Sequence, residues 1–434
     1  MPDVVLMYPY FHQPDRNAML FHPLGIAQLS AVLRDSGIQA YTMDLTFGWP
    51  EGGADTLAGL RPKVVGMYVM MTMTESALML ARLVRDHFPE VLLVCGGPMP
   101  TLRPEQFRHD FDVVFCGEAA RSFPLFCRDF LASGRLGEVL RHHDLYPGLH
   151  ALNPLDNEIL CTPAESLDQD QINSLPIPNR EAFPHSLYQQ SWSLREGFSP
   201  AGIMTSYGCP YSCSFCSKPI FGRYFRRRDM ARVREEIVDI MSWGYDGLWI
   251  DDDCFTLDLA HVRSFCEMMI RERFHMKWIC LSRTEDIPHE LVGLMKDAGC
   301  KKVFFGLESG SNAVLKLMNK HTTVEGAERT LKLFSRYGIE TAGFFMVGYP
   351  GETYETIEAT FAWALTLPLN EISFTIPFPL PDTALYQQVS GLQEKADWRY
   401  ESENRLIYKS DFDEEYLRKR IEETYAQFTA KSNP

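Results

Sequence analysis

The chain has 434 residues, more than one ordinary hydrophobic core accommodates, which indicates two or three domains. Because 45% of the residues are hydrophobic and 12% are aromatic, the chain can bury a sizeable interior, which excludes a disordered tail or a fibre. A net charge of −15 lacks the basic footprint of nucleic-acid binding, so we expect small-molecule partners and no nucleic acid.

The N-terminus begins MPDVVLMYPYF and lacks the basic segment and long apolar stretch of a signal peptide. No run reaches the ~18 apolar residues that a transmembrane helix needs. We therefore expect a cytoplasmic protein with no membrane partner. In a reducing compartment its 11 cysteines are not a disulfide framework.

In residues 1–140, short apolar runs alternate with helical patterns, which is typical of a doubly wound, Rossmann-like parallel sheet. The predicted strands are 3–9, 38–44, 63–72, 91–97 and 111–118, and the predicted helices are 23–37 and 75–89. Ligands of such sheets lie at the carboxyl ends of the strands. These ends carry Pro9–His12, Thr72–Thr74, Gly96–Thr101 and Gly117–Ala119.

Residues 141–199 are richer in Pro, Asn, Asp and Ser and show no clear period, so we predict a linker. Over residues 200–390 the alternation returns, with predicted strands at 201–208, 247–253, 277–283, 302–309, 340–350 and 371–378. Six strand–helix units predict a partial (β/α)6 barrel of the TIM type, with chemistry at the C-terminal ends of its strands. Residues 391–434 are charged, and we predict a small C-terminal helical cap.

Three cysteines lie within eight residues, directly after the first strand of the predicted barrel: Cys209, Cys213 and Cys216. Structural zinc needs four ligands, usually in paired C-x2-C knuckles, and no second knuckle or nearby histidine is present. A 4Fe–4S cluster usually has four thiolates, so three would leave one iron open to a substrate or cofactor. The other eight cysteines lie in apolar runs and are interpreted as small buried hydrophobes.

The spacing C-x3-C-x2-C, with Phe215 before the last cysteine, resembles the signature of the radical S-adenosylmethionine (radical SAM) superfamily. The resemblance implies a 4Fe–4S cluster on the three cysteines, with SAM bound to the open iron as the source of a 5′-deoxyadenosyl radical. Downstream strand ends resemble SAM-binding elements of that family, namely IDDDCF, SRTEDI, FFGLESGS and GFFMVGYPGET. They imply SAM contacts at Phe215, Asp251, Asp253, Arg283, Glu308, Ser309 and Phe345. Arg283 would meet a carboxylate, whereas Asp252 is expected to cap a helix or face solvent.

A doubly wound domain before this barrel resembles the cobalamin-binding class of the superfamily, and the resemblance covers roughly residues 1–390. It is carried by PLGIAQLSAVLRDSG, the strand ending MMTMT, CGGPMPTLRPE and VVFCGEAARSF. It implies cobalamin contacts at Pro9, His12, Thr72, Thr74, Gly96, Gly97, Thr101, Gly117 and Glu118. Glycines at these strand ends would let a flat corrin lie against the backbone, with threonine hydroxyls beside it.

The chain departs from that class in one respect: it has no D-x-H-x-x-G motif, whose histidine binds cobalt from below. His12 and His22 follow the first strand, but neither has this spacing, and a lone loop histidine is ordinarily exposed. Either the cobalt lacks a histidine ligand or the domain keeps only the fold. We favour the first, because the glycine-rich strand ends are retained.

The resemblance implies a cobalamin-dependent radical SAM C-methyltransferase acting on an unactivated or aromatic carbon of a small molecule, such as a specialised metabolite. One SAM would methylate cob(I)alamin to methylcobalamin, and a second would supply the radical. An external electron donor of the flavodoxin or ferredoxin type would reduce the cluster.

Two alternatives stay open: ring closure or rearrangement with the same cofactors, and an iron–sulfur redox or sensor protein. A methylthiotransferase acting on transfer RNA is disfavoured, because the chain is acidic and its tail is not basic. The residues that act on the substrate are not identified. The basic run GRYFRRRD, residues 222–229, could attract an anionic substrate or a carrier protein, and we favour the interpretation that it is a solvated helix start.

Overall fold

The computed structural model describes residues 1–12, 19–48, 53–389, 391–392 and 405–432. The chain divides into two compact units. The first contains Met1–Gly202, Pro219–Gly222 and Ala231–Tyr245, and the second contains Ile203–Lys218, Arg223–Met230 and Asp246–Pro434. Within the described ranges, no helix has both the length and the apolar character needed to cross a bilayer.

Seven strands form the sheet of the first unit, in the order β2-β1-β3-β4-β5-β6-β7. They are β1 (Val4–Tyr8), β2 (Ala40–Asp44), β3 (Val64–Tyr68), β4 (Leu92–Gly96), β5 (Val113–Phe115), β6 (Leu149–Leu152) and β7 (Ile159–Cys161). The first five pair in parallel and are mostly buried, as strands covered on both faces are. The order 2-1-3-4-5 confirms the predicted doubly wound sheet and places its switch point between β1 and β3.

The helices of this unit before residue 200 are α1 (Leu24–Asp35), α2 (Gly53–Leu60), α3 (Thr74–His87), α4 (Pro98–Leu102), α5 (Ser122–Ser133), α6 (Leu136–Leu140), α7 (Gln169–Ser174) and α8 (His185–Glu196). α3 packs Ala77, Leu80 and Val84 into the core, at the spacing of one helix face. The strand predicted to reach Thr72 ends at Tyr68, because residues 71–73 form a 3-10 turn into α3. A run of methionines fits both a strand and a helical turn, because it has no alternation of apolar and polar residues that would distinguish the two.

The segment 141–199 is part of the first unit and is not a linker. Its strands β6 and β7 extend the sheet in antiparallel pairing with β5 and with each other. Strands of four and three residues contain too few alternations for a period to be detected. The segment also buries Arg180, whose guanidinium donates to the Glu236 carboxylate at 2.5 Å and to the Gly202 carbonyl at 3.0 Å.

A second sheet of six strands has the order β15-β14-β13-β12-β11-β8. Its strands are β8 (Pro200–Ile203), β11 (Gly247–Ile250), β12 (Lys277–Ser282), β13 (Cys300–Glu308), β14 (Glu340–Met346) and β15 (Glu371–Thr375). Those from β11 to β15 pair in parallel. All six predicted strands are therefore present, in chain order, as expected for a partial barrel. A short ribbon, β9 (Ser206–Tyr207) with β10 (Arg226–Arg227), precedes and follows the cysteine loop.

Helix α9 (Met230–Ser242) belongs to the first unit from Ala231 onward. The helices of the second unit are α10 (Leu259–Arg271), α11 (His289–Asp297), α12 (Asn312–Leu317), α13 (Val324–Arg336), α14 (Tyr354–Thr366), α15 (Ala384–Gln388) and α16 (Glu414–Ser432). Side-chain oxygens begin four of them: Asp258 at α10, Thr323 at α13, Thr353 at α14 and Thr383 at α15 accept N–H groups of the first turn. These polar residues explain why the alternation between strands and helices was detectable.

The C-terminal helix α16 packs against α14 through Arg420, whose guanidinium forms two 2.7 Å hydrogen bonds with the Glu358 carboxylate. It also reaches β15, where the Tyr425 hydroxyl accepts the Phe374 N–H at 2.9 Å. The predicted C-terminal helical segment is thus present over residues 414–432. Residues 393–404 of the predicted cap lie outside the described residues.

Candidate cluster and cofactor site

The three cysteines lie on the loop after β9. Cys209 and Cys213 are buried, and Cys216 is exposed as a residue. Although Cys216 is exposed as a whole residue, its sulfur is closely surrounded by protein. Desolvation therefore raises the pKa of the Cys216 thiol, as it does that of the Cys209 thiol. The Lys218 ammonium opposes this shift in both thiols, and the Asp253 carboxylate adds to it. Both thiols therefore lie within electrostatic range of Lys218 and Asp253.

Ser214, in the middle of this loop, is held by three distant parts of the chain. Its N–H donates to the Met318 carbonyl at 3.0 Å, and its carbonyl accepts the Leu385 N–H at 2.8 Å. Its hydroxyl shares a hydrogen bond of 2.7 Å with the buried Tyr349 hydroxyl. The backbone that carries the second and third cysteines is thus fixed before any cofactor binds.

Residues 318–322 form a cradle for the cysteine loop that the sequence analysis missed. Two of them, Asn319 and His321, have left-handed backbone with φ of 53° and 55°, and Lys320 lies between them. Asn319 donates to the carbonyl and hydroxyl oxygens of Ser212, at 2.8 and 2.9 Å. Lys320 is buried and donates to the Glu308 carboxylate at 2.6 Å. Asn and His tolerate left-handed backbone better than most residues, but that signal is weak in a single sequence.

Arg283 contacts the cysteine loop directly. Its Nη1–H donates to the Cys213 sulfur at 3.3 Å, and its guanidinium carbon lies 3.8 Å from the centroid of the Tyr211 ring. Its Nε–H donates to Glu285 at 3.3 Å, and its Nη2–H donates to the Lys320 carbonyl. The Tyr211 hydroxyl donates to the same Glu285 oxygen. All three guanidinium nitrogens are therefore occupied by the protein itself.

Asp252, expected to cap a helix or to face solvent, is fully buried instead. Its carboxylate accepts the Thr205 N–H, the Thr205 hydroxyl and the Ser206 hydroxyl, each at 2.6 Å. The His261 Nε2 lies 3.1 Å from the Thr205 hydroxyl oxygen, and because that hydroxyl donates to Asp252, the imidazole must be the donor. Asp252 therefore joins the end of β11 to the segment that leads into the cysteine loop.

The other predicted SAM contacts lie at the C-terminal ends of the strands, with different exposures. Asp251 is half-buried, Asp253 is exposed, and Glu308 is buried with left-handed backbone (φ 63°). The Phe215 ring lies 5.8 Å from the Lys320 ammonium that pairs with Glu308. Ser309 is fully buried against α14, with its hydroxyl 3.2 Å from that of Thr360. These placements do not test the SAM contacts, which stay predictions.

Phe345 is placed differently from the expectation. Its ring is 1% exposed, stacks on Phe374 at 4.9 Å and meets Trp363 of α14 edge-on at 5.9 Å. It therefore faces the helix layer, because side chains alternate between the two faces of a strand. The neighbouring Phe344 takes the opposite face and stacks on Phe304 at 5.5 Å.

A row of aromatic rings continues along that opposite face. Trp249 of β11 lies 5.3 Å from Phe304 of β13, which in turn stacks on Phe344 of β14. We call these three rings the aromatic row. Because side chains alternate between the two faces of a strand, Phe344 and Phe345 must lie on opposite faces. Applying this rule to each position of the strand would have distinguished the two residues.

Three thiols on one loop are the donor type that iron–sulfur clusters use. In the part of the chain that the structure describes, no three His, Cys, Asp or Glu side chains are arranged to ligate one metal ion. The three thiols are instead spread along one fixed loop, beside the cations Lys218 and Arg283. Positive charge near thiolates stabilises their ionised, metal-binding form. Cys209, Cys213 and Cys216 would hold the cluster.

The predicted cobalamin contacts lie at the carboxyl ends of four neighbouring parallel strands. Pro9 follows β1, Thr72 and Thr74 follow β3, Gly96 and Gly97 end β4 and follow it, Thr101 lies in α4, and Gly117 and Glu118 follow β5. Such ends meet at one edge of a sheet, and the β1/β3 switch point is where ligands of this fold bind. The edge fits a flat cofactor in position, while the individual contacts stay predictions.

The glycines at this edge are required by the protein itself. A Cβ on Gly97, which has φ of 111°, would lie 2.8 Å from the Val69 carbonyl oxygen. A Cβ on Gly117 would lie 2.8 Å from the Ala164 Cβ. The Thr101 hydroxyl is also used internally, since it donates to the Gly97 carbonyl and accepts the Gly117 N–H. These residues therefore also shape the loops at this edge, and the predicted cobalamin contacts at them stay predictions.

The two histidines after β1 differ in availability. His22 is buried, with its Nε2 2.6 Å from the Tyr245 hydroxyl, and burial lowers its pKa. His12 has a buried Nδ1 without a hydrogen-bond partner among the described residues. An unsatisfied buried nitrogen at the switch point is compatible with a ligand there.

The basic run 222–229 is not a solvated helix start. Arg226 and Arg228 are buried, and Arg228 donates to the Met204 carbonyl at 2.7 Å. The exposed Arg227 pairs with Asp258 at 2.6 Å. Most of this charge therefore supports the ribbon that closes the cysteine loop.

Glu352 follows β14 in the GYPGET segment, which is a turn into α14 as expected. One carboxylate oxygen accepts the N–H groups of Gly348 and Tyr349, each at 2.8 Å. The other is buried without a partner among the described residues. Burial raises the pKa of Glu352 to about 7.

Comparisons with known proteins agree with this architecture. A B12 binding domain model matches residues 18–126, and the radical SAM superfamily model matches residues 203–364. An uncharacterized methyltransferase of Pyrococcus horikoshii is 28% identical over 94% of this chain and 87% of its own length. An anaerobic magnesium-protoporphyrin IX monomethyl ester cyclase of Rubrivivax gelatinosus is 24% identical over 98% of this chain and 77% of its own.

Among solved structures, the chain resembles TsrM, a radical SAM methyltransferase from Kitasatospora setae with cobalamin and a [4Fe-4S] cluster bound. The TM-score is 0.79 at 20% identity, over 98% of this chain and 91% of that one, which is a likeness of fold. The two domain matches, in this order, imply a 4Fe–4S cluster, SAM and cobalamin as cofactors. The chain therefore contains a B12 binding domain at residues 18–126, followed by a domain of the radical SAM superfamily at residues 203–364.

Proposed function

We propose that this enzyme is a C-methyltransferase that moves a methyl group from SAM to an unactivated or aromatic carbon of a small molecule. The observation that carries the proposal is the combination of a B12 domain and a cysteine loop in one chain. The match to a methyltransferase-named relative over 94% of the chain supports it. The net charge of −15 also favours a small-molecule substrate over a nucleic acid.

Bound cofactors would supply one-electron cleavage of SAM and methyl transfer. The protein's contribution is to hold and orient the reactants and to exclude water. The cradle 318–322 and the Tyr349 hydroxyl hold the cysteine loop in one conformation. The Lys320–Glu308 pair fixes two polar groups at the end of β13, where we propose that SAM binds.

The aromatic row would protect the radical. Trp249, Phe304 and Phe344 present apolar rings on the sheet face opposite the helix layer. A carbon radical reacts with hydrogen donors within its reach, so packed rings that exclude water favour reaction with the substrate. The Lys302 ammonium, 5.5 Å from the centroid of the Phe304 ring, is a polar neighbour of this row. We propose that this face lines the substrate side of the barrel.

Ring closure without methyl transfer is the second candidate, and the cyclase relative over 98% of the chain favours it. The test uses SAM labelled with deuterium in its methyl group and the anaerobically reconstituted enzyme, with reduced flavodoxin as the expected electron donor. Candidate substrates are fractions of small-molecule extracts, and the products are analysed by mass spectrometry. The Cys213→Ala variant is the control without a complete cluster.

Label in a new product, together with 5′-deoxyadenosine, supports the methyltransferase. A new product without label would contradict it and indicate the cyclase-type reaction. If no 5′-deoxyadenosine forms under strong reductant, neither enzyme proposal holds, and an iron–sulfur sensor is favoured.

A further inference from the structure

We infer that Arg283 sets the reduction potential of the cluster by donating a hydrogen bond to the Cys213 sulfur. The sequence placed Arg283 at the SAM carboxylate, but the structure joins its Nη1 to the sulfur at 3.3 Å. The inference rests on the cluster and on this contact, and it does not depend on methyl transfer.

The guanidinium cannot easily turn away from the sulfur. Its plane lies over the Tyr211 ring, with the central carbon 3.8 Å from the ring centroid. Nε is bound to Glu285, and Nη2 is bound to the Lys320 carbonyl. Because each nitrogen has a different partner and Arg283 is buried, Nη1 remains directed at Cys213.

A charged N–H donor at a ligating sulfur favours the more negative state of an iron–sulfur cluster. Reduction would transfer one electron from the external donor to the cluster, with no bond formed or broken. Hydrogen bonds to the sulfurs and nearby positive charge stabilise the added electron and therefore raise the potential. Burial strengthens this effect, because little solvent screens the guanidinium from the sulfur.

Glu285 acts in the opposite direction. Its carboxylate receives both the Arg283 Nε–H and the Tyr211 hydroxyl, so it offsets part of the positive charge. Neutralising Glu285 should leave the contact between Nη1 and the sulfur in place while increasing the net positive charge beside it. The two residues therefore predict potential shifts of opposite sign.

The experiment measures the potential in the absence of SAM, so that a role in SAM binding has no influence. The variants are Arg283→Met, which removes the charge, Arg283→Lys, which keeps the charge without the planar fork, and Glu285→Gln. Arg420→Met is the matched control, because Arg420 pairs with Glu358 of α14 instead. Each protein is reconstituted with its cluster, its iron content is measured, and the cluster signal is followed by electron paramagnetic resonance during a redox titration.

Arg283→Met should lower the ratio of reduced to oxidised cluster about tenfold at a fixed applied potential, equivalent to about 59 mV for a one-electron couple. Arg283→Lys should shift less in the same direction, Glu285→Gln should shift the opposite way, and Arg420→Met should not shift. If Arg283→Met holds no cluster, the lysine and Glu285 variants decide the question. Midpoints equal to that of the control in every variant that holds a cluster would overturn the inference, even if SAM affinity falls.

Discussion

Replacing Asp252 by alanine is the sharpest test of how the cysteine loop is anchored. The carboxylate accepts one backbone N–H and two hydroxyls, each at 2.6 Å, in a fully buried position. An unsatisfied buried donor costs about 1–3 kcal/mol, so three donors would cost about 3–5 kcal/mol if the two hydroxyls turn to weaker acceptors. Burial raises the pKa of Asp252, and losing this desolvated carboxylate offsets part of the cost. We therefore expect a net loss of about 3 kcal/mol.

The matched control is Asp252→Asn. The amide keeps the shape and one acceptor oxygen for the Thr205 N–H, while its nitrogen can donate to a hydroxyl that rotates. We expect it to lose about 1 kcal/mol, because one hydrogen bond to a charged acceptor becomes a neutral one.

Hydrogen exchange of peptides that cover residues 203–209 measures this locally, because the Thr205 N–H is one of the three donors. A loss of 3 kcal/mol corresponds to exchange about 150-fold faster, since every 1.4 kcal/mol is tenfold. Exchange in Asp252→Ala within about threefold of the unsubstituted protein would refute the anchoring role. Iron content after reconstitution shows whether the anchor matters for the cluster.

Three further predictions concern other parts of the chain. Glu352→Gln should be more stable than the unsubstituted protein by a margin that grows from pH 4.5 to 7, up to about 3 kcal/mol, because the raised pKa of Glu352 makes its ionisation unfavourable in the folded state. A difference in the free energy of urea unfolding between the two proteins that is the same at pH 5 and at pH 8 would contradict this. Arg180→Met should cost about 3–5 kcal/mol by removing the guanidinium that donates to the buried Glu236 carboxylate, and adding Glu236→Gln should restore at least half of this loss in thermal unfolding. A double variant no more stable than the single one argues against the pair. Gly97→Ala should cost about 1–3 kcal/mol through its left-handed backbone, whereas Gly59→Ala in α2, whose Cβ would meet open space, should not lower the melting temperature.

The sequence predicted both sheets because their strands are buried on both faces. Continuous apolar runs such as VVLMY in β1 and KWICLS in β12 are separated by helices with polar first residues, and this contrast is visible without a structure. The cluster cysteines were equally visible, because their spacing is local. What depends on a few neighbouring residues could therefore be predicted.

The features that were missed depend on contacts across the chain or on very short elements. Arg283 was assigned to a ligand because nothing in SRTEDI shows that Cys213, 70 residues earlier, lies beside its guanidinium. Asp252 was expected to cap a helix or to face solvent, because the local sequence does not show that the Thr205 and Ser206 hydroxyls, 47 and 46 residues earlier, donate to its buried carboxylate. In the 141–199 segment the turn-forming residues outnumber the seven strand residues of β6 and β7, so composition indicated a linker.

The open form of the second sheet has a consequence for the solubility of the protein. The described part of the sheet ends at β15, and an edge strand offers unpaired N–H and C=O groups to any extended segment from another molecule. The Tyr425 hydroxyl takes one of these N–H groups, that of Phe374, so α16 both covers the edge and occupies a hydrogen-bonding site on it. Removing α16 should therefore expose this edge and increase self-association of the protein through strand pairing, which gel filtration at rising concentration would measure.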